Sequence, residues 1–136
     1  YGSNNMQTTQ KFAKSKNVIW ITVISSAKGK QGYIQPNDAL NTFASFGSFP
    51  DHILVDESGD LGKKFNAKTT PHIFIADKNK NIIYQGAIDD AGDSKFWTTD
   101  LNQSTNFVKK VVNDIKSNKP LSVSKTRPYG CSVKYG

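Results

Sequence analysis

Runs of β-branched and aromatic residues alternate along the chain with segments of helical spacing. The longest run, residues 18–24, is nearly continuous, which is typical of a strand buried on both faces of a sheet. Shorter runs at residues 53–55 and 73–76 predict two further buried strands. A polar connection over residues 77–81 then leads to residues 82–86, so the last two strands are expected to form an antiparallel hairpin.

Helical spacing of apolar residues predicts four helices: one near the start that carries Met6, Phe12 and Ala13, one from Pro36 to Gly47, one over residues 61–65 and one over residues 103–115. The second is expected to bury the stripe Ala39, Leu40, Phe43 and Phe46. This alternation predicts the α/β class, with a central mixed sheet flanked by helices, parallel early strands and an antiparallel pair at the end.

Composition narrows the possible partners. The net charge is +7, but 17 of the 18 basic residues are scattered lysines and Arg127 is the single arginine. Proteins that read nucleic acids specifically use arginine forks, so a solvated lysine-rich surface is the preferred interpretation and nucleic-acid binding ranks last. No run of about 18 apolar residues occurs, so no membrane insertion is expected.

The chain has one cysteine, Cys131, and two histidines, His52 and His72. A single thiol excludes an internal disulfide framework and a multi-cysteine zinc site, and we expect neither a metal nor a cofactor. The carboxylates that follow residue 88 do not have the alternating spacing of an EF-hand, so a solvated loop is the preferred interpretation for Asp89, Asp90 and Asp93. Trp20 is interpreted as a core residue, and Tyr33 as an aromatic of either core or surface.

The C-terminal part differs from the rest in composition. Residues 117–125 are polar and contain a proline, which indicates a linker or surface arm. The following residues include two tyrosines and the cysteine, which is too rich for a plain tail. We therefore predict a domain over residues 1–118 and an arm over residues 119–136 that docks on it.

Several short motifs together resemble one known family. Thr70-Pro71 stands just before a predicted strand, where thioredoxin-like proteins place a cis proline. The more specific segments are Gly-Ser-Asn-Asn-Met-Gln at residues 2–7, Gly-Lys-Gln-Gly at 29–32, Gly-Ala-Ile-Asp-Asp at 86–90 and Lys-Thr-Arg-Pro-Tyr-Gly-Cys-Ser-Val-Lys-Tyr at 125–135. In this order they resemble a bacterial redoxin family related to the alkyl hydroperoxide reductase and thiol-specific antioxidant proteins.

The resemblance implies a thioredoxin-like fold and a thiol-disulfide oxidoreductase or peroxiredoxin-like antioxidant activity. In that family the reactive cysteine lies where the first strand gives way to the first helix, because a helix N-terminus stabilises the thiolate. Here that segment is expected upstream of Tyr1, so the first strand of the domain is expected to be missing from these residues.

The resemblance also assigns roles to residues that are present. Thr70, Pro71 and His72 are the candidate substrate-binding residues, with the Thr70–Pro71 bond in the cis form. Cys131 is a candidate resolving thiol, and the alternative is an inert cysteine in a structural tail. His72 and His52 have the alternative of ordinary polar residues at strand starts. Phe96 and Trp97 either border the site or pack in the core.

The expected partners are a thiol or disulfide protein, or a peroxide substrate. The alternative to an enzyme is a non-catalytic thioredoxin-like module that holds partner chains at the cis-proline groove. The resemblance favours a periplasmic or exported protein, with a cytoplasmic one as the alternative.

Overall fold

A computed structural model describes residues 4–91 and 104–136. The chain divides into two compact units. The first unit comprises Tyr1–Ala67 together with Ser132–Gly136, and the second comprises Lys68–Cys131. None of the helices in the described ranges is long and apolar enough to cross a membrane.

The first unit follows the predicted order of helix, strand, helix, strand and short helix. Its elements are α1 (Asn5–Ser15), β1 (Ile21–Ile24), a 3-10 turn (Pro36–Asp38) that leads into α2 (Ala39–Ser45), β2 (His52–Val55) and α3 (Asp60–Lys64). β1 and β2 pair in parallel, with Val23 opposite Leu54. A parallel pair needs a crossover connection, and α2 supplies it.

The core of the first unit lies on one side of this strand pair. Ile24 of β1 packs with Ala39 and Phe43 of α2, and Ile34, Ile53 and Val55 are half-buried against them. The prediction that residues 18–24 are buried on both faces is wrong. Ile19, Ile21 and Val23 are 70%, 52% and 40% exposed, because alternate residues of a strand point to opposite faces and α2 covers only one of them.

Both flanking helices bury less apolar surface than their sequences predict. Leu40 of α2 and Phe46, which follows the helix, are exposed, whereas Ala39 and Phe43 are buried in the core of the first unit. The buried side of α1 is mostly polar and consists of Gln7, Thr9, Gln10 and Ala13 rather than Met6 and Phe12. The Gln7 amide donates to the carbonyl of Phe46 at 2.7 Å, and the Ser48 hydroxyl donates to Oε1 of Gln10 at 3.0 Å.

Asp56 joins the end of β2 to α3. Its carboxylate accepts hydrogen bonds from the Ser25 hydroxyl at 2.8 Å, from the Gly62 N–H at 2.8 Å and from the Leu61 N–H at 3.2 Å. Burial opposes ionisation, but the bonds from Gly62, Ser25 and Leu61 outweigh it and hold the pKa of Asp56 below its ordinary value. The ionised form of Asp56 therefore stabilises the first unit.

The second unit contains the predicted hairpin. Its elements are β3 (Thr69–Thr70), β4 (Ile73–Ala76), β5 (Ile82–Gly86) and α4 (Phe107–Lys116), and the last strand of the chain, β6 (Cys131–Ser132), begins at its end. β4 and β5 pair antiparallel with Ile75 opposite Tyr84, which confirms the hairpin. β4 is half-buried along most of its length instead of fully buried.

α4 begins later than its periodicity predicts. The Asn106 side chain accepts a hydrogen bond from the Lys109 N–H at 3.0 Å and so caps a helix whose first residue is Phe107. Val108, Val111 and Val112 form its buried side, as the apolar spacing predicts. The α/β class is thus observed, with the elements in the predicted order.

Replacing Asp56 with Asn is expected to lower the free energy of unfolding by about 1–2 kcal/mol at pH 7, because the hydrogen bonds then lose a charged acceptor. The lowered pKa of Asp56 means that its ionisation stabilises the fold above 3.8, its ordinary value, and that this contribution is lost as the pH falls through the folded pKa. Urea unfolding between pH 2 and pH 7 measures the effect. The difference between the two proteins should shrink at the acid end.

Glu57, the exposed neighbour of Asp56, provides the matched control. Glu57→Gln should leave the free energy of unfolding within about 0.5 kcal/mol of the unmodified chain at every pH. A pH-independent loss in Asp56→Asn would contradict the role given to its charge.

Candidate functional site

The predicted substrate-side residues lie between β3 and β4 in the second unit. The peptide bond between Thr70 and Pro71 is cis, as predicted. Both residues are exposed, and the Thr69 hydroxyl donates to the carbonyl of Pro71 at 2.8 Å. Thr70 and Pro71 thus form an exposed turn immediately before β4.

His72 is anchored on the other side of this turn. The N–H of Lys68 donates to Nδ1 of His72 at 3.1 Å, and the imidazole stacks on Phe74 with ring centroids 4.4 Å apart. Desolvation, and then the charge of Lys68, lower the pKa of His72. Both effects favour the neutral ring, and the hydrogen bond that Nδ1 accepts from Lys68 favours the tautomer with the proton on Nε2.

Within the second unit, the arm pairs with β5. The N–H of Gln85 donates to the carbonyl of Ser124 at 3.1 Å, and the N–H of Thr126 donates to the carbonyl of Gln85 at 3.0 Å. Gly86 permits this approach, because a Cβ at that position would clash with the hydroxyl and backbone of Thr126. The arm is thus added to the hairpin as a short parallel bridge at Lys125.

A buried hydroxyl cluster fixes the same segment. The Thr126 hydroxyl accepts from the Ala87 N–H at 2.9 Å and lies 2.7 Å from the Tyr84 hydroxyl, which donates to the carbonyl of Ala87. Tyr84 is completely buried, and this burial raises the pKa of its phenol. Thr126 therefore gives the buried N–H of Ala87 its acceptor.

Tyr129 makes a further contact that fixes the arm, with Asp89. The sequence predicts that Asp89 lies in a solvated loop. Asp89 is only 2% exposed, and its Oδ1 accepts from the Tyr129 hydroxyl and, at 3.1 Å, from the Ala91 N–H. The expectation of a solvated carboxylate was wrong for Asp89 because the arm covers it. Burial, together with the adjacent carboxylate, raises the pKa of Tyr129.

The arm then reaches the Thr70–Pro71 turn. Gly130 lies so close to Thr70 that a Cβ there would clash with the Thr70 carbonyl oxygen and come within 3.4 Å of Cδ of Pro71. The Thr70 hydroxyl donates to the carbonyl of Cys131 at 3.2 Å, and Cys131 is exposed. The structure thus brings together Thr70, Pro71 and Cys131, which the sequence analysis selected separately.

The last residues of the arm belong to the first unit and make their own contacts there. The carbonyl of Lys134 accepts from the Ala27 N–H at 2.8 Å, and the Tyr135 hydroxyl donates to the carbonyl of Ala67 at 2.8 Å. The Lys63 ammonium lies 5.4 Å from the centroid of the Tyr135 ring. Both tyrosines of the arm therefore have hydrogen-bond partners within their own unit.

The remaining candidate residues lie elsewhere. His52 begins β2, as predicted, and Trp20 is half-buried just before β1 rather than within it. The half-buried Asp90 accepts from the Thr105 N–H at 2.7 Å. Asp93, Phe96 and Trp97 fall outside the described residues. In the two described ranges, no group of three or more histidine, cysteine or acidic side chains is arranged to hold a metal ion.

Solved structures similar to this chain are known. A hypothetical protein from Sinorhizobium meliloti matches 96% of this chain and 70% of its own, with a TM-score of 0.74 and 20% identity. An uncharacterized conserved protein from Geobacillus kaustophilus matches 96% of this chain and 68% of its own, with a TM-score of 0.77 and 18% identity. No protein-family model and no curated protein matches the sequence. The chain therefore shares its fold with two longer bacterial proteins.

Thr126→Val is expected to lower the free energy of unfolding by about 2 kcal/mol, because it keeps the side-chain shape but leaves the buried Ala87 N–H without its acceptor. It should also accelerate exchange of the amide hydrogen of residue 126, which pairs with Gln85. Chemical denaturation and hydrogen exchange measure the two effects. Thr105→Val, at an exposed position, is the matched control; equal losses in both variants would show that Thr126 does not hold the arm.

Proposed function

We propose that the chain is part of a thiol-disulfide oxidoreductase or peroxiredoxin-like antioxidant protein with a thioredoxin-like fold. The observation that carries the proposal is the hydrogen bond between the Thr70 hydroxyl and the carbonyl of Cys131. It keeps the single, exposed thiol of the chain beside the proline turn to which the resemblance assigns substrate binding. The order of strands and helices, ending in a hairpin and a helix, supports the same family.

The proposed reaction uses two thiols. A cysteine thiolate attacks one oxygen of a hydroperoxide, the O–O bond breaks, and the sulfur is oxidised to a sulfenic acid while water or an alcohol leaves after taking up a proton. A second thiol then attacks the sulfenic sulfur, so that a disulfide forms and water leaves. A dithiol reductant returns both cysteines to thiols and is itself oxidised to a disulfide.

The residues divide between these steps. The proposed peroxide-reactive cysteine belongs to a segment upstream of Tyr1, and Cys131 is the candidate second thiol. Exposure suits Cys131 for this role, because a resolving thiol has to reach the oxidised sulfur. Thr70 and Pro71 are the proposed substrate-binding residues, and the Nε2–H of His72 can donate a hydrogen bond to the substrate.

The test compares two proteins: the chain of residues 1–136 and a version extended upstream to include the strand and cysteine motif of the family. With hydrogen peroxide and dithiothreitol, only the extended protein is expected to consume peroxide above the rate of dithiothreitol alone. Substantial and equal activity of the shorter chain would contradict a reactive centre upstream of Tyr1.

Cys131→Ser in the extended protein tests the second thiol. One equivalent of peroxide should convert the unmodified extended protein almost completely to an intramolecular disulfide, since a nearby thiol traps the sulfenic acid. The variant should instead accumulate a sulfenic acid that dimedone traps, and intact-mass measurement distinguishes these products. A disulfide-free, dimedone-reactive product from the unmodified protein would exclude Cys131 from the reaction.

A further inference from the structure

The backbone next to Pro71 is occupied by the chain itself. In the second unit, Gly130 rests against the Thr70 carbonyl, and the Thr70 hydroxyl holds the carbonyl of Cys131. An extended polypeptide that paired with Thr70 would need the same space and the same groups. We infer that Gly130–Cys131 acts as an internal competitor that excludes polypeptides from this edge, so that the site takes a small substrate such as a hydroperoxide. This inference rests on the proposed function and specifies its substrate class.

Glycine at residue 130 allows the arm to pack directly against the backbone of Thr70. Gly130 has φ = 131°, a conformation that favours glycine, and its Cα faces the backbone of Thr70 rather than a movable side chain. A Cβ would also lie 3.0 Å from the carbonyl carbon of Thr70. No room therefore remains between the arm and the turn for a second chain.

Upstream contacts keep the competitor in place. Thr126 pairs with Gln85, and Tyr129 donates to the buried carboxylate of Asp89. A segment tethered a few residues from its binding site acts at an effective concentration of about a millimolar. A free polypeptide present at micromolar concentration thus has to bind about a thousandfold more tightly to displace it.

A small substrate faces no such competition. A hydroperoxide needs access to a thiol and a hydrogen-bond partner, and it does not need a row of backbone groups. Thr70, Pro71 and Cys131 all remain exposed with the arm docked. The docked arm therefore excludes an extended polypeptide but leaves the Cys131 thiol accessible to a small substrate.

The test uses the full chain and a fluorescent synthetic peptide that spans residues 124–131, the part of the arm that belongs to the second unit, with serine in place of Cys131 to exclude disulfide exchange. The unmodified chain is expected to bind this peptide at least ten times more weakly than Gly130→Ala, in which the new Cβ pushes the arm away from Thr70. Fluorescence anisotropy measures the affinities. Gly47→Ala is the matched control, because Gly47 also has a positive φ but nothing lies within 4 Å of its Cβ position.

Tyr129→Phe is the second variant. It removes the hydrogen bond to Asp89 and leaves the residues beside Thr70 unchanged. This variant tests the inference if Gly130→Ala does not fold. Circular dichroism checks the fold of each protein. Equal binding by the unmodified chain and the folded arm variants, or no binding by any of them, would overturn the inference. The measurement involves no redox turnover, so an inactive extended protein would refute the proposed function and leave this result unaffected.

Discussion

The second unit depends on the hydroxyl of Thr126. This group lies between Tyr84 and Ala87, both of which belong to the buried part of the hairpin and its exit. A buried N–H without a partner costs free energy, and Thr126 removes that cost for Ala87 while it also contacts the Tyr84 hydroxyl. The arm up to Cys131 is for this reason a structural part of the second unit. Thr126 and Tyr129 together hold the segment that leads to Cys131.

Asp56 has a comparable role in the first unit. Its carboxylate joins the end of β1, through Ser25, to the backbone of α3. Gly62 lets the adjacent groups approach, because a Cβ there would lie 2.7 Å from the Tyr135 hydroxyl and 2.8 Å from the Ser25 hydroxyl. In each unit, one polar side chain thus forms hydrogen bonds with several segments of the backbone. A glycine also leaves room for a neighbouring segment: Gly62 beside Tyr135 in the first unit and Gly86 beside Thr126 in the second.

Local patterns in the sequence were sufficient to predict the hairpin and the order of the elements, and the family resemblance predicted the cis bond before Pro71. Each of these depends on residues that are neighbours along the chain. The burial of residues 18–24 was predicted wrongly because it depends on which elements cover the strand, and strand pattern alone does not reveal a partner. The burial of Asp89 was missed for the same reason, since its partner Tyr129 is 40 residues away. Composition did indicate a docked arm, because two tyrosines in a tail need partners, but it could not identify which residues they meet.

The contacts that position Cys131 in the arm do not involve its sulfur atom. Thr70 holds Cys131 through its carbonyl oxygen, and Gly130 contacts Thr70 through its backbone, so neither interaction uses the sulfur. A serine at residue 131 can therefore keep the arm docked while it removes the thiol, and a side chain at residue 130 can displace the arm while the thiol remains. Because the sulfur takes no part in docking, oxidation of Cys131 would not by itself release the arm. The exclusion of polypeptides and the proposed disulfide step are thus independent properties of adjacent residues, and the same short segment can serve both.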